Sequence, residues 1–149
     1  MILNFILFLV IPLALGIFIY HKSSVIFLTG FTFSCLLSFT FNTLGVYFGF
    51  WNVYPYSQSY FSYLPLNLGL YPIMGTLYLY LLHRVKLNKA ILLLSFAVIS
   101  TTFKIILIYF GRAVYGKGWS SIYTFFSFLV LYYLGYLFYL TLSRKKIII

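Results

Sequence analysis

Long apolar runs, separated by short junctions that hold nearly all of the lysines and arginines, constrain this chain more than any other feature. About 20 helical residues, rising ~1.5 Å each, cross the ~30 Å hydrocarbon core of a bilayer. Runs at residues 2–20, 25–50, 90–110 and 121–142 approach or exceed that length, and a run at 68–82 is the shortest. The chain is 64% hydrophobic and only 7% charged, whereas a soluble domain is about 25% charged. At 149 residues a water-soluble fold could not hide so much apolar surface. The expectation is an all-α, polytopic transmembrane bundle of five spans, forming one domain over 1–149.

The junctions supply an orientation. Lys22, Arg84, Lys86, Lys89, Arg144, Lys145 and Lys146 fall on one side, and Arg112 and Lys117 on the other. Basic residues are retained in the cytoplasm, so seven against two predicts a cytoplasmic C-terminus and, with five spans, an outer N-terminus. The first run lacks a basic leader and a small-residue cleavage site, and is followed by His21 and Lys22, as in an uncleaved signal anchor. Pro12 in its middle predicts a kink. The second run, longer than needed, predicts a tilt or a frayed outer end. In the third, Gly69, Pro72 and Gly75 crowd the first half, so this helix is expected to begin deeper, with the preceding segment covering its start. The outer connection WNVYPYSQSYFSYLPLN, residues 51–67, carries no charge. Its Trp51, Tyr54, Tyr56, Tyr60, Phe61 and Tyr63, with Tyr115 and Trp119, predict a belt along the outer interface.

The chain contains no Asp or Glu, and its formal net charge is +10. That removes paired-carboxylate hydrolysis, two-metal phosphoryl transfer and carboxylate proton relays. The basic residues punctuate hydrophobic runs instead of forming a groove-binding stripe, so nucleic acid is not an expected partner. His21, His83 and Cys35 exhaust the soft ligands and share no metal-site spacing, so neither a metal nor a cofactor is expected. A Ser or Cys nucleophile would have to be served by His21 or His83 with no acid to orient them, and no catalytic residue is assigned. Gly111, Gly116 and Gly118 do not make a phosphate loop, since the full motif is not met, Gly118 standing where Ser or Thr must follow the lysine, and no strand is expected there.

Lys104 is the one charge inside an expected span, about six residues or ~9 Å from its outer end. An intramembrane lysine costs ~2.5 to 3.5 kcal/mol on insertion scales, and this chain offers it no carboxylate side chain. It must snorkel to outer lipid phosphate, lose its proton, bond hydroxyls and carbonyls, or meet an anion from another molecule. With Arg112 and Lys117 it could form a cationic patch suited to a phosphate, a carboxylate or a lipid headgroup. Helices in lipid associate through small and weakly polar residues. Ser34, Ser38, Asn42, Gly45 and Gly49 fall within about 80° of one another at ~100° per residue. Ser120, Thr124, Ser127 and Gly135 repeat the device in the fifth span, and Ala97, Thr101 and Lys104 share a face of the fourth. Packing through these faces would bury Asn42 and Lys104. The same faces serve either as structural glue or as the lining of a small ligand cavity.

From the second span onward a likeness is carried by Asn42, Tyr47, WNVYPY at 51–56, LPL at 64–66 and YPIMGTLYLYLLHR at 71–84. It continues through YFGRA at 109–113 and VYGKGW at 114–119, followed by Ser120. The chain resembles a family of small uncharacterised membrane proteins of Gram-positive, spore-forming bacteria. The resemblance implies five helices and offers no catalytic assignment to carry over; members carry a Glu in the fourth span near where this chain has Lys104. Three functions compete. The first is a non-enzymatic structural, accessory or partner-binding protein of the bacterial cell membrane, acting in the bilayer through another membrane protein. The second is transport or binding of an anionic or lipid-like ligand at Lys104, Arg112, Lys117 and Asn42. The third is a membrane-embedded lipid-modifying enzyme. A closed core with Lys104 at the headgroups would favour the first, a polar cavity reaching Lys104 the second, and a pocket where Tyr, His or Ser side chains converge the third.

Overall fold

An α-helix closes its backbone hydrogen bonds within one segment, which is what an apolar run in lipid requires, and the chain is predominantly helical. The computed structural model describes residues 2–148. Helix α1 covers Ile2–Lys22 and α2 covers Ser24–Tyr47. Helix α3 starts as a π-turn, Leu66–Leu70, and continues as Tyr71–Arg84. Helix α4 covers Lys89–Tyr109 and α5 covers Ser121–Arg144. Helices α1, α2, α4 and α5 are long and apolar enough to cross a membrane. The regular part of α3 has 14 residues, about 21 Å at 1.5 Å per residue, which by itself falls short of a bilayer core. Large side chains such as Tyr109 and Phe110 stand 85% and 69% exposed, as suits a surface that faces lipid instead of water.

Two helices end in the same way, and that shapes one end of the molecule. Gly49 has φ +73° and Gly111 φ +65°, a left-handed conformation that glycine adopts without a Cβ penalty. Phe50 N–H reaches back to Gly45 O at 2.8 Å and Gly49 N–H to Val46 O at 3.0 Å. Arg112 N–H to Leu107 O at 2.8 Å and Gly111 N–H to Ile108 O at 2.9 Å repeat the pattern, which is a Schellman motif in both cases. Gly49 therefore terminates α2, short of the expected end at residue 50, and does not belong to its packing face. The two chains leave side by side and pair: β1, Trp51–Val53, runs antiparallel to β2, Ala113–Tyr115, with Trp51 opposite Tyr115. The absence of a strand expected for residues 111–119 is thus corrected, because exits of matching geometry bring two short extended segments within pairing distance. A phosphate loop is still not made: Gly111, Gly116 and Lys117 keep its spacing, but Gly118 stands where Ser or Thr is required.

Prolines shape the helix centres. Pro12 follows a π-turn at Ile6–Val10, in which Ile11 N–H bonds Ile6 O; the helix widens by one residue where the expectation was a kink. Pro72 follows the π-turn of α3 in the same register, with Tyr71 N–H on Leu66 O. In that register Pro72 lacks the N–H that would answer Asn67 O. Ser38 Oγ of α2 answers it instead, sharing its one hydroxyl proton between Asn67 O at 3.2 Å and Cys35 O at 3.1 Å. The two π-turns pack on each other, with Phe8 O and the Leu9 backbone lying against Gly69.

The third helix is the centre of the bundle. It packs most extensively on α2 and also on α1 and α5, while α4 packs chiefly on α5. Glycines set these approaches: Gly16 of α1 meets Ile73, Gly30 of α2 meets Leu79, Ser34 of α2 fills the space beside Gly75, and Gly135 of α5 faces Tyr78. Leu66, Ile73, Thr76, Tyr78 and Leu79 are consequently buried. Toward the basic turns, Tyr78, Leu79 and Leu82 pack with Leu92, Phe96 and Tyr132; toward the strands, Phe8, Val53, Tyr63, Leu66 and Leu107 form a second cluster. The segment before α3 does cover its start, but not wholly from the surface. Tyr54, Tyr56, Tyr60 and Phe61 are exposed, whereas Val53 and Tyr63 turn inward and are buried.

Backbone atoms cannot yield at Gly69, whereas a Cβ at Gly135 would meet Tyr78 at an ordinary 3.7 Å. Gly69→Ala is expected to destabilise the protein by about 1–3 kcal/mol, as overpacking does, while Gly135→Ala should be neutral or stabilise by up to ~1 kcal/mol through helix propensity. Equilibrium unfolding in detergent compares the two; equal effects would contradict this packing.

Candidate functional site

Because α2 and α5 both lean on α3 yet touch each other little, a cleft is left between them with α3 as its floor. Its volume is about 90 Å³. Apolar side chains, among them Leu37, Phe41, Leu79, Phe128 and Leu131, make most of the wall. Ser34, Ser38 and Asn42 of α2, and Thr124 and Ser127 of α5, contribute polar groups. Trp51 closes the end nearest the strands, its indole lying on Gly45, where any Cβ would overlap the ring.

Lys104 reaches this cleft from α4. It is 4% exposed, so it does not snorkel to the headgroup level. Its Nζ lies 5.7 Å from the centroid of the Tyr63 ring, a cation–π distance, and it makes no hydrogen bond among the described residues. Thr101, one turn away, donates to Ala97 O at 2.8 Å, and Ser100 shares a 2.7 Å bond with Tyr132 OH. These hydroxyls are thus engaged beside an unpaired cation. Two more polar atoms of the cleft lining are buried with no partner among the described residues: Tyr78 OH and Trp51 Nε1. Such orphaned groups are rare in folded proteins and call for an explanation. Tyr78 is 1% exposed.

The residues singled out from sequence divide. Asn42 and Lys104 both line the cleft. Asn42 Nδ2 donates to Asn67 Oδ1 at 2.6 Å, and Asn67 is buried. Arg112 and Lys117 do not line it: the Arg112 guanidinium lies 5.5 Å from the Tyr54 ring centroid, and exposed Lys117 runs over Gly49. The three-cation patch is therefore not assembled, because Arg112 follows the Gly111 turn away from α4 and Lys117 sits in a tight turn at φ 44°. Of the α5 series, Thr124 accepts from Trp119 Nε1 at 3.0 Å and donates to Tyr115 OH at 2.8 Å, which fastens the strand end to the bundle. Ser120 caps α5 through its backbone carbonyl, which accepts from Thr124 N–H at 3.1 Å, and Ser127 Oγ donates to Tyr123 O at 2.9 Å. Trp51, Tyr78 and Asn67 carry no local signal for a site; in sequence, a Trp and a Tyr among so many aromatics read as interface or core.

A second cavity, about 200 Å³, lies beyond the Asn42–Asn67 pair under Tyr60 and Phe61, and Tyr63, Asn42 and Asn67 line it. The side-chain amide pair and Tyr63 thus separate it from the Lys104 cleft. His21 and His83 line neither space, so no imidazole serves the hydroxyls there. Among the described residues no cluster of three or more metal-ligating side chains occurs. Comparisons with protein families, curated proteins and solved structures find no match for this chain.

The amide pair should behave as an interhelical hydrogen bond. Asn42→Leu and Asn67→Leu are each expected to destabilise, and a double-mutant cycle should return a coupling of about 0.5–2 kcal/mol. Additive effects in detergent unfolding would mean that the pair does not hold α2 to α3.

Proposed function

We propose that this chain is a multi-pass protein of the bacterial cell membrane that binds an anionic, lipid-like amphiphile in the cleft between α2 and α5, without catalysing a reaction on it. The observation that carries this reading is Lys104: a buried cation, in a chain without a single acid, facing a mainly apolar cleft. Burying an unpaired charge is costly, and an anion from another molecule supplies the partner this sequence withholds. An apolar wall continuous with the hydrocarbon takes the remainder of that molecule. A structural or accessory role through helix packing alone gives no reason for the unpartnered Tyr78 and Trp51 donors. A lipid-modifying reaction would have to use Lys104 itself as its base, and the nearest hydroxyls on α4 are already bonded, Thr101 to Ala97 O and Ser100 to Tyr132 OH.

The topology in this proposal is five spans, with α3 as the third. It runs between the same two ends of the bundle as its neighbours, and with α1, α2 and α5 around it, it needs less lipid-facing length of its own. Asn4 Nδ2 bonds Tyr54 O at 2.8 Å, which sets the start of α1 at the strand end. The junctions with seven basic residues gather at the other end, which the positive-inside rule assigns to the cytoplasm.

Two experiments test the proposal. After purification in mild detergent, mass spectrometry of bound lipid should find an anionic amphiphile on the parent and about tenfold less or lower on Lys104→Met; an unchanged lipid complement would defeat the binding role. For topology, Lys22→Cys and Lys86→Cys in a Cys35→Ser background should both resist an impermeant thiol reagent applied to intact cells, while Lys117→Cys reacts. Labelling of only one of Lys22→Cys and Lys86→Cys would rule out five spans, since α2 and α3 lie between them.

A further inference from the structure

The charge, the donor set and the size of the Lys104 cleft together specify its occupant more narrowly than an anionic lipid. We infer that the occupant is a single-chain amphiphile whose headgroup carries one negative charge, a carboxylate or a phosphodiester, held at Lys104 with its chain leaving between α2 and α5. This rests on the binding role proposed above and adds the charge and chain number.

The charge follows from counting. Among the residues lining the cleft Lys104 is the sole cation, and Arg112 and Lys117 are directed elsewhere. One lysine and one monoanion form a neutral pair away from water. A phosphate monoester or diphosphate would bring a second negative charge with no cation to meet it, and an uncompensated buried charge is strongly disfavoured. A zwitterionic headgroup fails for the opposite reason, since its ammonium would find no acid anywhere in the chain.

The donors limit the group less than the charge does. An ionised carboxylate or phosphodiester accepts at about four lone-pair positions, more than one ammonium fills. Tyr78 OH and Trp51 Nε1 are both buried, line the cleft and have no partner among the described residues, but Trp51 lies on Gly45 and Tyr78 beside Gly135, so one of them at most meets a headgroup seated at Lys104. A neutral alcohol could use one of them but would leave Lys104 unpaired.

Volume sets the chain number. A cleft of about 90 Å³ holds roughly six to nine water-sized groups at ~10–15 Å³ each. That is a small headgroup and the first few carbons of one chain. A partner helix, ~10 Å across, does not enter it, and an acidic side chain presented from outside the cleft is the alternative that the cross-linking outcome below decides. Leu37 and Phe41 on α2 and Leu131 on α5 line the way out, where the rest of an acyl or prenyl chain continues into lipid.

The test uses the parent chain in detergent or nanodiscs, whose tryptophans are Trp51 and Trp119, with Trp51→Phe as the control that isolates the Trp51 signal. 2-Bromohexadecanoate carries its quencher beside the headgroup, so it should quench Trp51 saturably. At neutral pH, displacement is then measured with hexadecanoate, lysophosphatidylglycerol, hexadecyl phosphate and hexadecanol. One of the first two should compete at least about tenfold more strongly than the dianionic phosphate or the alcohol, and whichever does so identifies the carboxylate or the phosphodiester as the source. Lys104→Met should erase that preference. Hexadecyl phosphate competing as well as the monoanions would overturn the single-charge inference and leave the anionic site standing. Hexadecanol matching hexadecanoate, with Lys104→Met unchanged, would overturn both. Quenching abolished by a stoichiometric protein partner cross-linked to the cleft would replace the amphiphile with an acidic helix and overturn the inference. The ligand series on the Lys104 protein stands independently of whether Lys104→Met folds.

Discussion

Asn67 is where the architecture is decided. Pro72 withholds an N–H from the Asn67 carbonyl, and in apolar surroundings an unanswered carbonyl is expensive. Ser38 of α2 supplies the missing donor, and one turn further along the same helix Asn42 bonds the Asn67 side chain. These two contacts fix α2 against the first turn of α3, and Ser34 against Gly75 extends the seam. With α2 committed to α3 on this line, and α5 seated on Tyr78 and Leu79 through Gly135, the two flanking helices diverge. The Lys104 cleft is the space that divergence leaves.

The strand end then closes over it. Two helices that terminate in the same glycine-based motif send their chains out side by side, and the short β1–β2 pair is the result. Its aromatic side chains do different things. Trp119 lies 4.9 Å from Trp51, centroid to centroid, and bonds Thr124, holding Trp51 on Gly45 at the mouth of the cleft. Tyr63 turns its face to the Lys104 ammonium. A neutral aromatic ring is a modest partner for a buried cation, which is consistent with a site whose full partner comes from another molecule.

Glycine, serine and threonine have two uses in this bundle, and sequence periodicity does not separate them. Gly75, Gly30 and Gly135 permit close approach, while Gly49 ends a helix. Thr124 fastens a loop, Ser38 satisfies a carbonyl, and Ser127 bonds its own helix and presents the cleft with a hydroxyl. Placing all of these on faces at ~100° per residue identifies which helices approach closely. It says nothing of which residue carries the approach and which borders the space left over.

The helices were legible from sequence because each run is long, apolar and bounded by charge, and helical hydrogen bonding is local. The isolation of Lys104 from any acid was legible too, being a matter of composition. The pairing of β1 with β2, the answer to the Asn67 carbonyl and the removal of Arg112 and Lys117 from the site were not, since each joins segments far apart in the chain. Nor was the inward turn of Trp51, Tyr63 and Tyr78: an aromatic residue suits lipid, interface and core alike, and only the packing of the helices selects which polar tips are buried without a partner.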